Sequence, residues 1–177
     1  MGLAKTPPKV VLLCACCFNR QISLEKIAEL LQGEFGPIDK KTDIFRFDHT
    51  EYYLDEMGQP LSKFFCTFSS PIDPADIVEI KLKTNAIEQR FSSHNKRHVN
   101  LDPGYLEAAK LVLATTKNFS HRIYLGKGIY GDVQLYWRHG KFQFNPWTYP
   151  DYKEPFAVDF FTLIRQEYLY KEHHRCP

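Results

Sequence analysis

The chain has 177 residues, of which 44% are hydrophobic and 25% are charged, so it is long enough to fold as one globular domain without disulfides. Its 23 lysines and arginines against 21 aspartates and glutamates give a net charge of +2, which argues against broad binding to a nucleic-acid backbone. The sequence shows neither an apolar run of the roughly 20 residues that a membrane span needs nor a signal-peptide cleavage pattern, so we expect a cytoplasmic protein without membrane contact.

The N-terminal quarter predicts one strand followed by one helix. Residues 1–8 are polar and end in two prolines, which predicts a disordered tail. The apolar run from Lys9 to Phe18 predicts a central strand that is buried on both faces. Ser23 offers an N-cap and Gly36 a stop for a helix whose apolar face contains Leu24, Ile27, Leu31 and Phe35.

The next segments predict three strands and a second helix. Aromatic-rich runs at 44–48 and 61–69 predict strands, joined over residues 49–60 by a loop or one short helix. Over residues 78–83, apolar side chains alternate strictly with charged ones, which predicts a strand at 77–83. Thr84 is then expected to cap a helix that ends in the polar run from Ser92 to Arg97.

The second half of the chain predicts strands joined mostly by hairpins. The predicted strands are 97–101, 110–117, 122–125, 129–138 and 141–144, with a turn at Asp102-Pro103-Gly104. Glu154-Pro155 opens a last helix, and residues 171–177 are predicted to be a disordered tail. We therefore predict a single α+β domain over residues 9–170, with a mainly antiparallel sheet and about three helices packed largely on one face.

Five strings of residues resemble a known family: Asn100–Tyr105, Leu113–Lys117, His121–Leu125, Gly128–Tyr130 and Trp147–Tyr152. They are similar to bacterial proteins grouped as domain-of-unknown-function family 4416, and the resemblance extends from about Lys9 to Tyr168. It implies a bacterial cytoplasmic protein and supplies no activity. The chain departs from the family at Asp132, where the resemblance leads us to expect a longer acidic side chain, and in its cysteine-rich first strand.

Polar side chains alternate along several predicted strands, where residues two apart share a face. Asn100 shares a face with Asp102, and Thr115 shares one with Lys117. A solvated sheet face would show the same alternation. The functional interpretation is a pocket for a small anionic ligand, phosphorylated or carboxylated, in which an arginine fork holds the anion. Its expected ligand-binding residues are Asn100, Thr115, Lys117, Arg122, Tyr149 and Asp151.

His121 and Asp102 are the candidate catalytic residues of that pocket. The pKa of a histidine normally lies near neutrality, so His121 could act as a general acid or base, with a nearby carboxylate as its partner. The carboxylates could equally bind Mg²⁺.

The competing hypothesis is a binding module without chemistry. It would use an exposed aromatic patch near Trp137, Trp147, Tyr149 and Tyr152 for a protein partner or for self-association. The five cysteines are irregularly spaced and lack the paired spacing of a zinc site, so we expect free thiols and no structural zinc or other metal ligands. The sequence leaves the oligomeric state open.

Overall fold

A computed structural model of the chain describes residues 2–48, 53–93 and 96–174. The helices of eight residues or more are α1 (Leu24–Phe35), α3 (Ile77–Arg90) and α4 (Pro155–His173), and a single turn forms α2 (Leu54–Met57). The strands are β1 (Val11–Phe18), β2 (Ile38–Lys41), β3 (Phe45–Phe47), β4 (Leu61–Phe68), β5 (Ser92–Ser93), β6 (Lys96–Arg97), β7 (Val99–Leu106), β8 (Lys110–Thr115), β9 (Ile123–Gly126), β10 (Ile129–Arg138) and β11 (Lys141–Phe144).

Nine of these strands form one antiparallel sheet, which confirms the predicted α+β class. The order along the sheet is β11-β10-β8-β7-β1-β4-β2, with β3 paired to β4 and β9 paired to β10. Strand β1 is central, as predicted, and pairs with β7 on one side and β4 on the other. Strand β2 was not predicted, because three of its four residues are charged and give no apolar alternation.

Helices cover both faces of the sheet. Helices α1 and α3 pack on the face that carries Leu12, Cys14 and Cys16 of β1. Helix α4 packs on the opposite face, against Leu13 and Ala15. The predicted placement on one face therefore holds for α1 and α3 but not for α4, the longest helix.

Helix α1 forms as predicted. The hydroxyl of Ser23 accepts a hydrogen bond from the Lys26 backbone, and Ile27 and Leu31 are buried. Gly36 ends the helix at a φ of 87°, a left-handed conformation that favours glycine.

The prediction of a strand at residues 77–83 is wrong, because this segment is the first half of α3. The buried residues of α3 follow a helical period: Ile77, Ile80, Lys81, Thr84, Ile87 and Glu88. Three of them are polar, so the apolar period that identifies a helix in sequence is hidden. Thr84 lies inside the helix instead of capping one, and its hydroxyl donates to the Lys81 carbonyl.

The turn predicted at Asp102-Pro103-Gly104 is also wrong, because β7 continues through these residues. Asp102, Pro103 and Gly104 pair with Ala15, Cys14 and Leu13 of β1. A Cβ atom on Gly104 would lie 2.4 Å from the backbone oxygen of the neighbouring strand β8, so the glycine permits close strand approach here instead of a turn.

Strands β7 and β8 separate on the N-terminal side of Gly104. Their pairing covers only Gly104–Leu106 of β7, so the preceding residues of β7 pair with β1 alone. Two buried side chains of α3 replace the missing strand: Lys81 Nζ donates to the Leu101 carbonyl at 2.9 Å, and Glu88 accepts from the Leu101 N–H at 2.7 Å. The open end of the sheet therefore acquires buried charges, and the candidate site forms there.

The two predicted tails differ in secondary structure. Residues 2–9 are exposed and belong to no helix or strand, whereas α4 continues through Lys171 to His173. Residues 175–177 lie outside the described residues, and the division into one domain with two tails stays a prediction. Within the described ranges, no helix is both long and apolar enough to cross a membrane.

Candidate functional site

Polar side chains from four strands lie on the sheet face that α4 covers. Directly paired residues of antiparallel strands, and residues two apart along one strand, point to the same face. By this rule, the polar residues that the strand registers place on that face include Lys63, Asn100, Asp102, Thr115 and Asp132.

The first group, which we call the Asp102 cluster, consists of Lys63, Lys81, Asn100, Asp102 and Asp151. Lys81 Nζ lies 3.2 Å from Asp102 Oδ1, and the Asn100 side-chain amide donates to Asp102 Oδ2 at 2.7 Å. Lys63 Nζ lies 2.6 Å from Asp151 Oδ2. Both lysines and Asp151 are almost fully buried, whereas the Asp102 side chain is 26% exposed. Asp102 is thus the member that a ligand can reach.

The surroundings of Asp102 keep it ionised. Burial alone would raise its pKa, but the charges of Lys81 and Lys63 and hydrogen bonds from Asn100 and Lys81 outweigh burial, so its pKa lies below the ordinary value. At neutral pH Asp102 is therefore a charged hydrogen-bond acceptor. A depressed pKa makes it a poor proton donor and a weak base.

Lys63 is enclosed by aromatic rings. Its ammonium lies 4.6 Å from the ring centre of Phe47 and 5.5 Å from that of Tyr152. The Tyr152 hydroxyl is buried and has no hydrogen-bond partner among the described residues, and burial together with the charges of Asp151 and Asp102 raises its pKa well above the ordinary value. Most buried hydroxyl groups in proteins have a hydrogen-bond partner, so Tyr152 is unusual in this respect.

Arg97 supports the same end of the sheet from the α3 side. Its guanidinium donates to Glu56, to Glu88 at 2.7 Å and to the Asn100 side chain at 3.1 Å. Burial raises the pKa of Glu88, although the charge of Lys81 and the hydrogen bond from Leu101 oppose that rise. Asn100 is thereby held between Arg97 and Asp102, which fixes the direction of its amide.

The second group, which we call the Asp132 cluster, consists of His121, Arg122, Asp132, Gln134 and Tyr149. Buried Asp132 accepts from Arg122 Nε at 2.8 Å and from the Gln134 amide at 2.8 Å, and it lies 3.4 Å from His121 Nε2. The His121 ring also stacks on Trp147 with ring centres 4.5 Å apart. One carboxylate therefore orients both the imidazole and the guanidinium.

Tyr149 connects the two clusters. Its hydroxyl accepts from Arg122 Nη2 at 3.1 Å. Its pKa is raised to about 12, first by burial and next by the negative charge of Asp102, partly offset by Arg122. The Tyr149 hydroxyl is therefore bonded to the Asp132 cluster and responds to the charge of the Asp102 cluster.

Six of the eight predicted site residues belong to these two clusters. Asn100, Asp102 and Asp151 belong to the Asp102 cluster, and His121, Arg122 and Tyr149 belong to the Asp132 cluster. The predicted ligand-binding role of each stays a prediction.

Thr115 and Lys117 contribute differently from what was expected. The Thr115 hydroxyl accepts from the Lys117 backbone, and the Lys117 carbonyl accepts from Arg122 Nη1 at 3.0 Å. Lys117 therefore meets Arg122 through its backbone, while its side chain is exposed. A groove of about 490 Å³ between β3 and α4 contains none of the predicted site residues.

The sequence reasoning missed the two buried lysines. Lys81 was assigned to a strand face with its charged neighbours, and Lys63 was overlooked within an aromatic-rich strand. The available signal was the spacing of Lys81, Thr84 and Glu88, which matches one helix face together with the intervening isoleucines.

The predicted four-residue aromatic patch is not a continuous surface. Trp147 and Tyr149 are only 36% and 37% exposed, Tyr152 is fully buried, and Arg165 lies over Trp137 at 3.8 Å from the ring centre. The competing hypothesis therefore retains only two of its four residues.

In the described ranges, no group of side chains is arranged to support a metal site or a reactive thiol. There, no three His, Cys, Asp or Glu side chains are grouped so that they could hold a metal ion. Cys14, Cys16, Cys17 and Cys66 are free and buried, and burial raises the pKa of the first three. Such thiols form few thiolates and react slowly. Cys176 lies outside the described residues.

One comparison with known proteins gives a match. The family model described as a domain of unknown function (DUF4416) matches residues 8–168, nearly the whole chain. No curated protein and no solved structure matches significantly.

Proposed function

This chain belongs to the DUF4416 family, and we propose that it binds a small anionic ligand that also carries hydroxyl or amino groups. One observation carries the proposal: Asp102 is an ionised acceptor, partly exposed, at the point where β7 and β8 separate. Hydroxyl and amino groups are the donors that such a carboxylate recognises.

A purely structural role explains this concentration of charge poorly. Removing two charges from water costs several kcal/mol per ion, about as much as a buried pair regains, so apolar side chains would serve stability equally well. Here ion pairs of Lys63, Lys81, Arg97 and Arg122 gather at one end of the sheet. Two carboxylates of these ion pairs, Asp102 and Glu88, have shifted pKa values, and such groups occur at functional sites more often than elsewhere.

The anionic part of the ligand would lie on the side of Arg122. Residues 116–130 include Lys117, His121, Arg122 and Lys127 and contain no carboxylate, while Asp132 pairs with Arg122 and Glu79 pairs with Lys127 from outside the segment. The Arg122 guanidinium uses three of its five N–H groups in the contacts described above, which leaves two for an anion. Tyr149 is hydrogen-bonded to Arg122 and its pKa responds to the charge of Asp102, which supports one small molecule that contacts both groups.

If the site is catalytic, His121 is the group for proton transfer. Asp132 orients its imidazole, and stacking on Trp147 holds the plane of the ring. Asp102, the other candidate, is assigned to binding because its pKa is lowered. We also propose the bacterial cytoplasm as the location, which the buried free thiols support.

The proposal is tested by a thermal-shift screen with hexose phosphates, nucleoside phosphates, hydroxy and amino acids, and Mg²⁺. A ligand at about 100 times its Kd stabilises the native state by roughly 2.7 kcal/mol, which raises the melting temperature measurably. We expect such a ligand to stabilise the wild type and to lose its effect on the Asp102→Asn variant.

The matched control is Asp159→Asn, which removes an exposed carboxylate on α4. It should respond to the ligand as the wild type does. A ligand that stabilises the Asp102→Asn variant as strongly as the wild type would place binding elsewhere. If removal of the anionic group from a stabilising compound left its thermal shift unchanged, the assignment of an anionic ligand would be contradicted.

A further inference from the structure

Strand β9 is a sheet edge with an apolar surface. It pairs with β10 through Ile123, Tyr124 and Gly126, and no other strand in the described ranges pairs with it. Three successive side chains, Ile123, Tyr124 and Leu125, are 69%, 59% and 41% exposed. An edge strand presents unpaired N–H and C=O groups, so a strand of this composition is a template for pairing with another chain.

The other edges of the same sheet carry charged residues, which discourage such pairing. Strand β2 contains Asp39, Lys40 and Lys41, β3 contains Arg46, and β11 contains Lys141. Strand β9 contains no charged residue and no proline. This contrast indicates that the β9 edge is covered when the protein is assembled.

We propose that two copies of this chain associate by antiparallel pairing of their β9 strands. An edge strand is complementary to its own copy across a two-fold axis, because each donor row faces the matching acceptor row. With the axis at Tyr124, Ile123 of one copy lies opposite Leu125 of the second copy, so apolar side chains meet on the shared sheet.

The charges that flank β9 do not oppose this arrangement. Arg122 precedes the strand and pairs with Asp132, and Lys127 follows it and pairs with Glu79. Each cation is therefore compensated within its own chain, and bringing two copies together adds no uncompensated like charge. Phe119, another exposed aromatic residue, precedes the strand by four positions and extends the apolar surface.

The test is sedimentation equilibrium of the full chain between about 1 and 100 μM, the range in which dimers of modest affinity dissociate. We expect a reversible monomer–dimer equilibrium for the wild type. Ile123→Lys places one positive charge from each copy at the paired edge. Because these two like charges repel, the variant should dimerise at least about tenfold more weakly. The matched control Leu163→Lys adds the same charge at an exposed position of α4 and should dimerise like the wild type.

A cross-link tests the proposed axis. In a Cys176→Ser background, Tyr124→Cys should form a disulfide-linked dimer on mild oxidation, because residues at the axis face each other about 5 Å apart. The four buried cysteines would not compete. A wild type that stays monomeric throughout the concentration range, or a dimer as tight in Ile123→Lys as in the wild type, would overturn the proposal.

Discussion

Replacing Asp102 by asparagine removes one negative charge from the Asp102 cluster with little change in shape. The variant amide can accept through its oxygen from either Lys81 or Asn100, but its NH₂ group then faces the other donor. The ammonium groups of Lys81 and Lys63 stay buried without this counter-charge. The variant should therefore be less stable than the wild type.

The expected loss follows from the burial of these groups. Breaking a fully buried ion pair costs about 3 to 5 kcal/mol, because the remaining charge is left uncompensated. Here Lys81 keeps its hydrogen bond to the Leu101 carbonyl, Lys63 keeps Asp151, and Asp102 is 26% exposed, all of which reduce the cost. We therefore expect a loss of about 2 to 4 kcal/mol in the free energy of unfolding at neutral pH.

Urea denaturation at several pH values measures this loss and its electrostatic origin. Because the folded-state pKa of Asp102 is lowered, its ionisation stabilises the protein above its unfolded pKa of about 4, and this contribution is lost as the pH falls through the folded-state value. The difference between wild type and Asp102→Asn should thus shrink as the pH falls below about 4. A loss below about 0.5 kcal/mol, or one that is independent of pH, would refute the assigned role of Asp102.

Three further substitutions test the fold and the Asp132 cluster. Leu31→Ala should destabilise by about 2 to 5 kcal/mol in the same assay, since the leucine is fully buried between α1 and the sheet, and a loss below about 1 kcal/mol would contradict its place in the core. Gly104→Ala should destabilise by about 1 to 3 kcal/mol, because the new methyl group meets the backbone of β8. In the control Gly33→Ala, the methyl group enters open space on α1, so this variant should be stabilised by roughly 0.5 to 1 kcal/mol. Equal effects of the two substitutions would argue against the β7–β8 contact. Arg122→Lys keeps the charge but loses the planar fork, so we expect about 1 to 3 kcal/mol of destabilisation together with weaker ligand binding, and unchanged stability would mean that the fork does not anchor this cluster.

Local patterns in the sequence were sufficient for several elements. The continuous apolar run of β1 and the capped, four-residue spacing of α1 are periodic signals that depend only on neighbours along the chain. The polar segments around Asn100, Arg122 and Tyr149 were also expected to meet; Arg122 and Tyr149 meet in the Asp132 cluster, and Asn100 belongs to the Asp102 cluster. Along a strand, side chains that alternate with buried ones point to a fixed face of the sheet, so the face that they occupy follows from the sequence without the strand order.

Only the tertiary structure decided the identity of α3, the course of β7 and the partners of Asp102. Helix α3 buries Lys81 and Glu88 because β7 lacks a neighbouring strand at Leu101, a circumstance that no local pattern encodes. Lys63 approaches Asp102 because β4, β1 and β7 are adjacent in the sheet, although the two residues are far apart in sequence. Sequence periodicity determines which side of a strand or helix a residue occupies, whereas strand order and register determine which charges face each other across the sheet.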